Sequence, residues 1–351
     1  DWLFWTASAL SLSVVLCSSP ARVTRLLERF SIYTEFTMLQ SLNYEENGFL
    51  GAFILNLNNM HLQPPGGYSR DYVERLLDRY EAVPAAEEAF DVILVLSESF
   101  CDLRELPGLT FSRNPLPRYD ELLRRDNCYS GTLYTNAVGG GTVRPEFEVL
   151  TGLSTEVLPD GATPYEYVDG PLESYVSNYK DAGYRAVALH PYEPSFYARN
   201  SAYPHLGFDA FYSHDELYAM HPLEYSSRGY PTDDSLVDHI QLLLDGAEEP
   251  TLLFAITMQN HQPFSPMPQE DITLTVSSDR LSQENLDAVT TYVQGLAAAD
   301  QMLGRLADYI DRRERPTVLI FFGDHKPTLG ANFAAYEESG YFSASDPFTF
   351  A

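Results

Sequence analysis

Val318-Leu319-Ile320-Phe321-Phe322 runs directly into Gly323-Asp324-His325. An apolar run of this length, rich in β-branched and aromatic residues and closed by a glycine, reads as a strand whose end delivers two polar residues. Three further runs repeat the arrangement: Val92 to Leu96 leads into Ser97-Glu98-Ser99, Arg185 to Leu189 into His190, and Leu252 to Thr257 into Asn260-His261. Helical patterns lie between them, from Pro171 to Ala182 and from Glu284 to Arg312, the second closing in the basic cluster Arg312, Arg313 and Arg315 that suits a helix C-terminus. Strands alternating with helices predict an α/β fold with a central, mostly parallel sheet flanked by helices.

In an open α/β sheet the ligand site lies beyond the carboxyl ends of the strands, so the residues just after each run are the first candidates. A single histidine there is ordinarily a hydrogen-bonded structural residue. Two carboxylates with an adjacent histidine at one sheet edge are harder to account for, because buried unpaired charge is costly without a cation. Glu98, Asp324 and His325 are therefore candidate ligands of a divalent metal. Gly139-Gly140-Gly141-Thr142 precedes a helical pattern at Glu146 to Leu150. Read by itself, such a string is a flexible turn capped by a threonine. Near a metal it becomes more, since glycines let the backbone approach an anion and coordination turns the Thr142 hydroxyl into a nucleophile. Two carboxylates, a hydroxyl and one imidazole favour manganese or magnesium over a thiolate-preferring metal.

The composition narrows the classes. A chain of 351 residues with 44% apolar and 13% aromatic content can bury a large core, which excludes a small disulfide scaffold and a disordered chain. Lys and Arg number 22 against 50 Asp and Glu, a net charge of −28, which excludes a broad nucleic-acid surface and confines phosphate recognition to a metal or a few arginines. Cys17, Cys101 and Cys128 lack zinc-site spacing. A buried free thiol is the expectation for Cys101, whose spacing from Cys128 cannot establish a disulfide.

Trp2 to Cys17 carries no charge. As a helix it would span roughly 24 Å of a hydrocarbon core of about 30 Å, so residues 1–18 read as the end of a transmembrane helix. Arg22, Arg25 and Arg29, interleaved with Val23, Leu26, Leu27 and Phe30, form a basic amphipathic stretch suited to a headgroup layer. Taken alone, those charges would place the rest of the chain in the cytoplasm. Gln63-Pro64-Pro65-Gly66-Gly67 is the clearest break in the chain. Residues 19–90 are read as a juxtamembrane linker with helices and residues 91–351 as the catalytic domain, with its C-terminus expected to be truncated.

Five ordered strings carry a family resemblance: Glu98-Ser99-Phe100; Gly139-Gly140-Gly141-Thr142 with Glu146-Phe147-Glu148; Leu189-His190-Pro191-Tyr192 with Ser195-Phe196-Tyr197-Ala198-Arg199; Asn260-His261-Gln262-Pro263-Phe264; and Phe322-Gly323-Asp324-His325. The pattern resembles the lipoteichoic acid synthase family, the phosphoglycerol transferases of the sulfatase and alkaline phosphatase superfamily, from about Tyr44 to the end of the chain. The resemblance implies a sulfatase-like catalytic domain held outside the cytoplasm by membrane helices, which overrides the charge rule above. It implies metal ligation by Glu98, Thr142, Asp324 and His325, usually of manganese, with Thr142 as nucleophile. It also implies substrate contacts from His190, Arg199, His261 and Tyr197, the last standing where an aromatic residue precedes the arginine by two positions. The implied reaction moves glycerol phosphate from phosphatidylglycerol to a glycerol-phosphate polymer or glycolipid, as in lipoteichoic acid synthesis, through a glycerophospho-threonine. His261 is the expected proton carrier and His190 its rival.

Two departures mark this chain. Val143-Arg144-Pro145 follows Thr142 where small polar residues are common, and Lys326 follows His325 where an apolar residue is common. The same site would serve transfer of phosphoethanolamine, transfer of phosphoglycerol to a glucan, or hydrolysis of a phosphate or sulfate ester. A sulfatase nucleophile derives from cysteine or serine, which Thr142 is not. A polymer-binding pseudoenzyme would have lost a ligand or the nucleophile, and all four positions are filled.

Overall fold

The computed structural model describes residues 66–77, 89–158 and 162–342, with scattered helical positions between 6 and 53. The chain divides into two compact units, Asp1–Pro84 with Glu156–Thr163, and Ala85–Thr155 with Pro164–Ala351. In the first, helix α1 (Arg70–Leu77) starts behind Ser69, whose Oγ accepts from the Tyr72 amide at 3.2 Å. The stretch 2–17 expected to close a membrane helix lies, except for Thr6, outside the described residues. No helix among the described residues is long and apolar enough to cross a membrane.

The second unit contains β1 (Asp91–Ser97), β2 (Leu109–Phe111), α2 (Pro117–Leu122), α3 (Val143–Thr151), α4 (Tyr175–Asp181), β3 (Arg185–Leu189), α5 (Arg199–Leu206), β4 (Ala210–Tyr212), α6 (His214–Met220), α7 (Asp233–Asp245), β5 (Thr251–Ile256), β6 (Val276–Ser278), α8 (Gln283–Ile310), β7 (Thr317–Gly323) and α9 (Ala334–Ser339). Five strands form a sheet in the order β4-β3-β5-β1-β7, with every pairing parallel. The short strands β2 and β6 make a separate antiparallel pair. The four apolar runs picked out in the sequence are thus neighbours in one sheet, with ends within a residue of those expected.

Burial on both faces explains why β1, β3 and β5 read as continuous apolar runs, whereas Val318 and Ile320 of the edge strand β7 are exposed. Val92, Leu94 and Leu96 of β1 pack with Ala186, Ala188, Leu252, Phe254 and Ile256 beneath Phe147 and Leu150 of α3, Val176 of α4 and Tyr203 of α5. Ile93 and Val95 point the other way, with Val187, Leu189, Leu253 and Ala255, beneath Leu236, Val237, Ile240 and Leu244 of α7 and Met302 and Leu306 of α8. Each buried Val, Leu, Ile, Phe or Met side chain among these contributes about 1.5–3 kcal/mol by leaving water. A third cluster, with Leu103, Leu116, Tyr292, Leu296 and Tyr336, packs one side of α8.

Helix α8 runs for 28 residues, close to the span predicted for it. Helix α4 begins four residues later than Pro171, because Ser174 forms its cap: Ser174 Oγ accepts from the Ser177 amide at 3.0 Å and Ser177 Oγ accepts from the Ser174 amide at 2.9 Å.

Candidate active site

The β1–β7 register pairs Ser97 with Gly323, so Glu98 and Asp324 leave adjacent parallel strands at the same level. Their turns are tied together. Ser99, in the left-handed region at φ 54, donates its amide to Asp324 Oδ1 at 2.8 Å and its hydroxyl to Glu98 Oε1 at 2.8 Å. The Glu98 amide donates to Thr257 Oγ1 at 2.9 Å, which anchors the same turn to the end of β5. His325 follows with Nε2 3.2 Å from Asp324 Oδ2 and 3.8 Å from Glu98 Oε1. Its Nδ1 lies 3.1 Å from the Lys326 carbonyl oxygen, and a proton donated there leaves the Nε2 lone pair facing the two carboxylates.

One ligand atom from each of Glu98, Asp324 and His325 lies within 4.8 Å of the others, and all three residues are buried. Asp324 Oδ2 has no hydrogen-bond partner. Burial, and next the charge of Asp324, push the Glu98 carboxyl well above the ordinary carboxylate range. Two such carboxylates and an imidazole nitrogen fit a divalent cation, whose charge would offset the desolvation that the protein alone leaves uncompensated. The oxygen-rich donor set suits manganese or magnesium.

Thr142 is the N-cap of α3, and its hydroxyl makes no capping hydrogen bond. The loop before it needs its glycines: Gly139, Gly140 and Gly141 have φ of 66, 142 and 87°. At Gly139 a Cβ would come 2.3 Å from Thr328 Oγ1. The Gly139 amide donates to the Lys326 carbonyl at 2.9 Å, and the Gly139 carbonyl accepts from Gln262 Nε2 at 3.0 Å. The loop is thereby fastened both to the segment after His325 and to the residue after His261.

A single cavity is lined by Glu98, Gly140, Gly141, Thr142, His190, Tyr197, Arg199, His261 and His325, with Tyr192 and Phe196 adding to its aromatic wall. Every predicted site residue except Asp324 lines it, and Asp324 lies directly behind His325. His190 is held by a 3.3 Å contact from Nδ1 to the Ile256 carbonyl. Burial, then the Arg199 charge, keeps its pKa well below the usual histidine value. His261 places Nδ1 2.6 Å from the Gln262 carbonyl, and burial lowers its pKa also. Both rings are therefore neutral at pH 7, and with Nδ1–H engaged His261 presents Nε2 as a proton acceptor.

Arg199 begins α5 behind two consecutive non-glycine residues in the left-handed region, Tyr197 and Ala198, each at φ 58. Such strain is retained where a side chain must be aimed. The Tyr197 ring centroid lies 5.2 Å from the Arg199 guanidinium carbon. Nε and Nη2 of Arg199 bind the Glu146 carboxylate, whereas Nη1 is buried without a hydrogen-bond partner among the described residues. A buried donor left open beside a metal-ligand cluster is suited to an anionic oxygen.

Several residues that shape this site carry no sequence signal of their own. Arg228 donates Nη1 to the Gln259 carbonyl at 3.3 Å and Nη2 to the carbonyls of His261 and of Pro263, the latter at 2.9 Å. With the Tyr230 hydroxyl on the Gln262 carbonyl at 2.8 Å, it pins the loop that carries His261. Cys101 and Cys128 are free, and the Cys101 thiol, 3.3 Å from the Tyr292 hydroxyl, is pushed up to about 11 by burial.

A cluster of two carboxylates and a histidine able to hold a cation lies at the end of a parallel sheet, with Thr142 at a nearby helix start. The sequence model of the sulfatase family matches residues 91–347, and the chain belongs to that family. A Rhizobium meliloti protein named for cyclic beta-1,2-glucan modification is 34% identical over 307 residues, covering 86% of this chain and 45% of that protein. The chain spans less than half the length of the curated relatives it matches. Among solved structures, the Streptococcus pyogenes phosphoglycerol transferase GacH in complex with sn-glycerol-1-phosphate superposes with a TM-score of 0.66 at 23% identity, over 79% of this chain and 75% of that one. The lipoteichoic acid synthase LtaP of Listeria monocytogenes superposes with a TM-score of 0.54 at 22% identity, over 68% and 57%. Both likenesses establish the fold.

Proposed function

We propose that this chain carries the catalytic domain of a metal-dependent phosphoglycerol transferase that acts at the cell membrane, outside the cytoplasm, with phosphatidylglycerol as donor. The observation that carries the reading is the shared cavity: the Thr142 hydroxyl, the Glu98–Asp324–His325 cluster and the open Nη1 of Arg199 belong to one site. Manganese or magnesium held by Glu98, Thr142, Asp324 and His325 would lower the hydroxyl pKa and offset charge on the phosphoryl oxygens. Thr142 Oγ gives its proton to His261 as it attacks phosphorus, the bond to diacylglycerol breaks with that proton passing to the diacylglycerol oxygen, and a glycerophospho-threonine remains, whose threonine oxygen recovers a proton through His261 when it is displaced. Arg199 Nη1 donates to a nonbridging oxygen in both steps. His261, neutral with Nε2 open, takes the proton of the acceptor hydroxyl as that oxygen displaces Thr142.

The family resemblance supports a glycerol-phosphate polymer or glycolipid as acceptor. A neutral glucan hydroxyl is the second reading, and two observations favour it. The net charge of −28 repels a polyanionic acceptor but not a neutral one, and the Rhizobium meliloti relative is named for glucan modification. The test is the intact mass of the protein after incubation with manganese and phosphatidylglycerol, beside Thr142→Ala. A metal-dependent gain of one glycerophosphate, absent from Thr142→Ala and discharged by adding a neutral glucan or a glycerol-phosphate oligomer, identifies nucleophile, donor and acceptor in turn. Turnover of a generic phosphodiester with no adduct would instead assign a hydrolase.

A further inference from the structure

Glu146 is wholly buried, yet it lies outside the cavity wall. Its carboxylate collects four donors: Arg199 Nε at 3.0 Å, Arg199 Nη2 at 2.7 Å, the Tyr165 hydroxyl at 2.8 Å and the Tyr203 hydroxyl at 2.6 Å. These contacts fix the plane of the guanidinium and turn one edge of it away from the cavity that Arg199 lines. They leave Nη1 buried and open. A pair serving only to neutralise charge has no reason to leave such a donor unfilled, and buried ion pairs by themselves are poor sources of stability.

Glu146 also belongs to the helix that Thr142 starts. Its amide donates to the Thr142 carbonyl at 3.1 Å, so the carboxylate that holds Arg199 sits one helical turn from the candidate nucleophile. We propose that Glu146 is a positioning residue that sets the separation between Arg199 Nη1 and the Thr142 hydroxyl, so that both reach one phosphoryl group. The left-handed pair Tyr197-Ala198 fixes the approach of Arg199 from the other side. The inference rests on the reading of Arg199 as the phosphate contact, and adds what keeps that contact in line with the nucleophile.

The test is a cycle of four proteins on the full chain: native, Glu146→Gln, Arg199→Ala and the double variant. Each is loaded with manganese, and inorganic phosphate is titrated as competitor of a soluble phosphodiester. Glu146→Gln is expected to weaken phosphate about tenfold in the native background and less than about twofold beside Arg199→Ala, with manganese affinity unchanged. Equal losses in both backgrounds overturn the inference while leaving Arg199 as the phosphate contact. No loss on Arg199→Ala overturns it together with that reading. Where Glu146→Gln does not fold, Glu146→Asp keeps the charge and withdraws the acceptor by one methylene. Its expected signature is the same phosphate-specific loss, and native phosphate affinity in the folded variant overturns the inference.

Discussion

Gly323→Ala is a direct perturbation of the Glu98–Asp324–His325 cluster that leaves each of these three residues in the sequence. Gly323 closes β7 opposite Ser97, and a Cβ on it would lie 1.9 Å from the Phe100 carbonyl oxygen and 2.9 Å from that carbonyl carbon. Side chains do not tolerate contacts under 3.0 Å, and the atoms it meets are backbone, which has no rotamer to yield. The two segments must part by about one ångström. One segment carries Glu98 and the other Asp324, so the added methyl group opens the gap between the carboxylates. Metal sites hold ligand distances to about 0.2 Å, and weaker disturbances of supporting groups already lower affinity about 10–100-fold. Manganese affinity should fall by that amount, and turnover by about a hundredfold. The overpacking should also remove about 1–3 kcal/mol of stability, which a domain of this size tolerates. Titration calorimetry with manganese chloride, beside circular dichroism melts, reads both. Gly170→Ala, whose Cβ meets nothing within 4 Å, is the control. A folded Gly323→Ala that binds manganese within about twofold of native would refute the assignment of these two turns as ligand carriers.

Two further outcomes follow from the burial of acidic groups. Manganese at a hundredfold excess over its dissociation constant should stabilise the native protein by about 2.7 kcal/mol, raising Tm by about 5 °C over the chelated protein; Asp324→Asn should lose that response, and a native Tm indifferent to metal and chelator would count against the site. Asp233, at the start of α7, is buried with both carboxylate oxygens unpartnered, and burial raises its pKa from the ordinary 3.8 to about 7. The folded state holds that proton more tightly than the unfolded one, so the stability linked to it is complete below about pH 4 and is lost as pH rises through about 7. Asp233→Asn should therefore gain on native as pH rises from 5 to 8, and a Tm difference that stays flat across that range would refute it.

Strands β1, β3 and β5 were legible because burial on both faces leaves a physical trace, an unbroken apolar run such as Val92 to Leu96, and the edge strand β7 was legible from the same kind of run although its Val318 and Ile320 are exposed. Their ends then brought Glu98, Asp324 and His325 together, since parallel strands in register deliver their next residues to one edge. Other elements leave no such trace. Leu109–Phe111 and Val276–Ser278 are three-residue strands, too short for a period to register. Helix α5 contains Pro204 and follows two left-handed residues that are not glycine, so tertiary contacts rather than local propensity hold it. Glu146 was visible as part of a string but not as a partner of Arg199, because the two are 53 residues apart and a glutamate within a helix ordinarily faces water. Arg228 was silent for a related reason: its partners are backbone carbonyls, which every residue type supplies.

The sheet order separates the work of the site into two halves. Glu98, Asp324 and His325 come from β1 and β7, while His190 and His261 follow β3 and β5 on the other side. Strand pairing ties the first half to the core, whereas Tyr192 and Phe196 reach the cavity from the segment between β3 and α5. Sequence drift at those two positions changes the cavity wall without replacing a residue of the Glu98–Asp324–His325 cluster. Inheritance thus has positions it must keep, Arg199 and His261 among them, and aromatic wall positions between β3 and α5 that can change with the sheet left as it is.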